Sequence, residues 1–237
     1  VVLAIIAVLG AISSAVFTHM KKMAYDAKCV AGLRQLGVAN QLYMNDHNNT
    51  FVPFARNTRQ GKVWYFGLES SPGGAEGERE LDRSAGPLAP YLGQVGGIEI
   101  CGSFNYGSAL WKAKFIGASW GYGYNCRLGG GPSGRNVRHI TDLRSPAEVV
   151  VFGDCAQVNT FQVPASPERP MLEEFYIINE TFKTVHFRHG KHANFVFADG
   201  HVEGLELCPG TEDRRVKGEL LGRITPVGSL EYLESTD

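Results

Sequence analysis

The 237-residue chain has no C-x-x-C pair, no excess of charge of either sign, no internal repeat and no low-complexity segment. Each absence closes a class. Without C-x-x-C, and with cysteines only at 29, 101, 126, 155 and 208, no paired zinc-finger spacing is present. With 23 basic against 24 acidic side chains, net charge is -1 and no basic face is in prospect, so a nucleic-acid partner is not expected. No G-x-S-x-G follows a strand pattern and no cysteine stands beside a histidine, so the chain does not read as an enzyme. What it has in plenty is glycine, 29 residues, which suggests many loops.

Charge is missing altogether from residues 1–17, "VVLAIIAVLGAISSAVF". As a helix this run is about 26 Å long, just short of a bilayer core. The pattern does not stop there: residues 18–45 contain no proline, and Cys29, Leu33, Leu36 and Tyr43 fall on one stripe. The spacing predicts one helix of about 45 residues, apolar in its first half and amphipathic in its second. Lys21 and Lys22 follow the apolar run on what must become the outer side, which predicts a more basic segment before Val1. Small residues Ala4, Ala7, Gly10, Ala11, Ser14 and Ala15 recur at three- and four-residue spacing and mark a face for close helix packing. With Val1, they form the candidate assembly element.

"NDHNNTFVP" (45–53) ends the helix, so residues 1–53 form an N-terminal unit and 54–237 a β-rich head. Residues 54–97 read as a loop-rich insert with a short helix near 86–92. "GIEICGS" (97–103) is a short apolar run. Strands are expected at 120–126, 149–153, 184–190 and 192–206, the last two flanking a tight turn, with a weak signal at 220–224. The fold class is α+β: a long N-terminal helix on a mostly antiparallel sheet.

"FRHGKHANFVFADGHVEGL" (187–205) concentrates histidines near an aspartate. His186, His189 and His192 do not share a strand face, so neither a metal nor any other cofactor is expected on them. A hairpin reading fits better. Asp199-Gly200 suits a turn, and His189 is expected to donate to the Asp199 carboxylate and brace it.

The stretch "VVLAIIAVLGAISSAVFTHMKKMAYDAKCVAGLRQLGVANQLYMNDHNNTFVP" resembles the start of type IV pilins and type II secretion pseudopilins. Its Cys29, Leu33, Arg34, Gln35, Leu36 and Gly37 resemble the Cys-x-x-x-Leu-(Lys/Arg)-Gln-(Ile/Leu)-Gly segment of a large pilin-like class of planctomycete- and verrucomicrobia-type bacteria. "PAEVVVFGD" (146–154), "SWGYGYN" (119–125) and His189-x9-Asp199-Gly200 resemble that class's later motifs. The resemblance implies a long helix on a β-sheet head, polymerised into an extracellular filament through contacts with further copies. It implies assembly machinery and the inner membrane as earlier partners, and the cell surface as the final location. It also implies a Cys29–Cys101 disulfide, with Cys101 ending a short strand; a Cys126–Cys155 bond is expected beside it, leaving Cys208. A pseudopilin of a secretion system is the alternative of the same architecture. A membrane-anchored sugar-binding module, stacking on Trp64, Tyr65, Trp111 or Trp120, is the alternative of another class.

Overall fold

The computed structural model describes residues 2–70, 74–75, 77–93, 100–116 and 120–234; within these, the side chains of residues 3–8, 11, 12, 15 and 132 lie outside the description. One helix, α1, runs from Val2 to Asp46. It ends where the sequence turns polar. Asn48 and Asn49 take left-handed backbone angles, and the Asn49 N–H caps the Met44 carbonyl at 2.8 Å.

The region expected to be a loop-rich insert is more ordered than its pattern. Strands β1 (Ala55–Thr58), β2 (Gly61–Trp64), β3 (Gly67–Glu69) and β4 (Leu81–Asp82) form a four-stranded antiparallel meander. The short helix α2 follows at Ala89–Leu92. These strands leave no period-2 apolar signal in the sequence, because they are short and β1 exposes three of its four residues.

The head's main sheet uses β5 (Tyr122–Asn125), β6 (Val150–Asp154) and β9 (Ile177–Ile178). Strands β7 (Gln157–Asn159) and β8 (Met171–Glu173) make a separate pair between them in sequence. Strand β10 (Val185–His186) precedes β11 (His192–Phe197) and β12 (Val202–Glu206), and β13 is Leu221–Gly222. The sheet order is β12-β11-β6-β5-β9, antiparallel except for the parallel β5–β9 pair. The expected hairpin of 184–190 with 192–206 does not form. Strand β10 pairs with β13 instead, while the 192–206 segment turns at Asp199-Gly200, as expected, and pairs with itself as β11 and β12.

Side chains of β11 alternate as a pleated strand requires. Phe195 and Phe197 join Val150, Val185 and Phe187 in one core; Val196 faces the other way, toward Leu33, Leu36 and Phe152. The second half of α1 supplies that other core, with Cys29, Leu33, Leu36 and Tyr43 all buried, as their stripe predicts. Close docking depends on Gly37: a Cβ there would lie 2.7 Å from Val196 Cγ2.

The first half of α1 differs. Val2, Leu9, Val16, Phe17, Met20 and Met23 are exposed, Phe17 at 70%. Among the described residues, no helix is long and apolar enough to cross a membrane.

Candidate functional site

Where α1 meets the end of β6, four chemistry-bearing side chains from four segments converge. Cys29 comes from α1, Cys101 from the turn at 101–104, Asp154 from the last position of β6 and His189 from the turn before β11. All four are buried, and one donor atom of each lies within 4.8 Å of the others.

Local structure explains the convergence. Gly102 lies against the Tyr25 ring, where a Cβ would come within 2.7 Å of Cδ1, so the loop can press Cys101 onto the helix. Cys101 lies in this turn, and residues 97–99 of the short run expected before it lie outside the described residues. Gly190 and Lys191 both take positive φ, and an N–H from His189 to the His192 carbonyl closes the turn that aims the imidazole inward.

Asp154 is the charged centre. Arg188 donates to its Oδ1 from Nε at 2.9 Å and Nη2 at 2.7 Å, while the Asn194 N–H reaches Oδ2 at 2.9 Å. Burial would raise this carboxyl, but Arg188 and then His189 hold it well below the usual range. His189 Nε2 is 3.2 Å from Asp154 Oδ2 and 3.3 Å from Cys101 Sγ. Its other nitrogen, Nδ1, is 3.1 Å from Asp26 Oδ1, and Asn194 Nδ2 in turn holds that oxygen at 2.7 Å. Burial alone would lower His189; its contacts with Asp154 and Cys101 prevail and push it up to about 9. Cys29 Sγ stands 3.3 Å from Asp154 Oδ1 and accepts from the Tyr122 hydroxyl at 3.5 Å. Burial pushes Cys29 up, whereas contact with Cys29 and His189 holds Cys101 down.

The Cys101–His189–Asp26 sequence has the order of nucleophile, base and orienter. Cys101 is 0% exposed, however, so a substrate has no route to its sulfur. The cleft of about 640 Å³ beside the cluster is bounded by Tyr25, Asp26, Ser103, Phe104 and His189, and meets the histidine edge only.

The structure redistributes the other expected residues. His189 does not brace Asp199. The Asp199 carboxylate accepts the His201 N–H at 3.1 Å and lies 2.6 Å from His201 Nδ1, and Gly200 supplies the positive φ of that turn. A side chain two residues away satisfies the aspartate, so it needs no distant one. All five cysteines are free thiols. Cys29 and Cys101 are neighbours; the expected Cys126–Cys155 bond is absent, with Cys155 Sγ on the Ile177 carbonyl and its thiol pushed up to about 12 by burial. Gly10 and Ser14 lie exposed on the projecting half of α1, while Val1 and the side chains of Ala4, Ala7, Ala11 and Ala15 lie outside the described residues. Tyr65 and Trp120 are fully buried, while Trp64 and Trp111 are half-buried and pack against the cores.

Asp26, Arg188 and Asn194 were not singled out in the sequence. One signal pointed to this region: Asp154 closes an apolar strand, and a carboxylate there must find buried partners. Compared with protein-family models, curated proteins and solved structures, the chain matches none.

Proposed function

We propose that this chain is a structural subunit of a type IV pilus-like filament, polymerising through the first half of α1. One observation carries the reading: that half of the helix leaves the head with large apolar side chains exposed. Val2, Leu9, Val16 and Met23 recur every seven residues, the spacing with which one helix presents a seam to another. Apolar surface of this kind is worth about 25 cal/mol per Å² when removed from water. Lipid covers it before assembly, and sister helices cover it in a filament core. The head, braced on the second half of α1, would then form the outer surface.

The pseudopilin reading shares this architecture and differs in filament length and place. Tyr65 and Trp120 belong to the core, which favours a structural role over sugar binding.

The test is Gly10→Trp. A Cβ at Gly10 meets nothing within 4 Å, so the substitution leaves the chain's own fold intact and enlarges only the surface offered to a neighbour. Cells carrying it should make folded chain and no filaments. Normal filaments containing the variant would overturn assembly through this face.

A further inference from the structure

We propose that Cys29, Cys101, Asp154 and His189 bind one divalent cation of the zinc class, closing a structural metal site that pins α1 to the head. The inference stands apart from filament assembly, since the four residues lie at the helix–sheet junction.

Geometry is the first support. Zinc bonds of about 2.0–2.1 Å to nitrogen or oxygen and about 2.3 Å to sulfur imply tetrahedral ligand–ligand edges of roughly 3.3–3.8 Å. Three of the six edges here are 3.2 Å from His189 Nε2 to Asp154 Oδ2, 3.3 Å from His189 Nε2 to Cys101 Sγ and 3.7 Å from Cys29 Sγ to Asp154 Oδ2, and all six lie within 4.8 Å. A cation fits with small side-chain shifts. Two sulfurs, one imidazole and one carboxylate are the donor set that suits zinc and not magnesium or calcium.

The surroundings are the second support. Metal-bound histidines typically donate their other ring N–H to a carboxylate, which fixes the tautomer. His189 has that partner in Asp26, itself held by Asn194, and the arrangement leaves Nε2 for the cation. Asp154 keeps Oδ1 for Arg188 and takes the Asn194 N–H on Oδ2, and the Tyr122 hydroxyl donates to Cys29. Charge closes as well. Among the fully buried groups, two thiolates, one carboxylate, the dication and Arg188 sum to zero, with two protons released to solvent on binding, one from a thiol and one from the imidazole nitrogen that takes the metal. All four positions are filled by protein, as in structural rather than catalytic sites.

This reading excludes a Cys29–Cys101 disulfide, because both sulfurs are spent on the metal. The full-length chain, purified in detergent under reducing conditions and stripped by chelator, would be titrated with zinc and examined by native mass spectrometry. One zinc per chain is expected, with a raised unfolding temperature, and Cys29→Ser and Cys101→Ser should each abolish it. Asp26→Asn, a change in a positioning residue, should weaken binding by roughly 10–100-fold. Should the cysteine variants misfold, cobalt added to the unaltered chain decides: intense thiolate charge-transfer absorption with tetrahedral bands supports the site. Folded chain that takes up no stoichiometric zinc, zinc uptake indifferent to both cysteine changes, or a Cys29–Cys101 disulfide in chain isolated without reductant would each overturn it.

Discussion

His189 Nε2 lies 3.2 Å from Asp154 Oδ2, and through this contact the turn before β11 is tied to the last residue of β6. Both groups are buried, and Arg188 and Asn194 complete the carboxylate's shell. Removing the imidazole leaves a buried charge with one partner fewer. In metal-free, reduced chain, His189→Ala should lower stability by about 1–3 kcal/mol. Asp199→Ala, which breaks only the half-exposed contact with His201, should cost less than about 1 kcal/mol. Chemical denaturation of the two variants checks the order; equal losses would show that the buried contact does nothing special.

Docking of α1 depends on the approach of Gly37 to Val196. A Leu at position 37 improves helix propensity by up to about 1 kcal/mol, yet its side chain has no room against β11. Overpacking of this kind costs about 1–3 kcal/mol, so the net effect of Gly37→Leu should be a lower urea midpoint. An unchanged or higher midpoint would mean that the helix does not press on the sheet here.

Glu174 carries a pH signature. Burial pushes its carboxyl up to about 7, despite the Trp120 backbone N–H and the Tyr106 hydroxyl, which donates to Oε1 at 2.9 Å. An unfolded glutamate titrates near about 4.3, so between roughly pH 4 and 7 the folded chain holds a proton that the unfolded chain has lost. Stability from this group is therefore fully present at the acid end and falls as pH rises through that window, by on the order of 3 kcal/mol. Glu174→Gln stays neutral and can still accept from Tyr106. Melting temperatures taken from pH 5 to 8 should show the loss on the alkaline side shrinking in the variant; identical profiles would contradict the assignment.

Much of the scaffold was legible because its residues obey local periods. Cys29, Leu33, Leu36 and Tyr43 marked the buried stripe of α1, and the alternation around Phe195 and Phe197 marked β11. The meander at 55–82 was not legible, since strands such as Ala55–Thr58 expose most of their residues and carry no apolar period. The partner of His189 was misread for a different reason. Asp199 is the nearer aspartate in sequence, but an Asp-Gly turn spends its carboxylate on its own downstream residue. The cluster itself draws on positions 29, 101, 154 and 189, a long-range convergence that no short window of sequence can display.

Filament building by α1 is testable by immunogold electron microscopy of cells carrying this chain with an epitope inserted at Gly218, a residue of positive φ with open space around it. Gold is predicted along surface filaments, in regular array, and is predicted to disappear from them in the Gly10→Trp background. Gold spread evenly over the membrane, with none on any filament, would contradict filament building by α1.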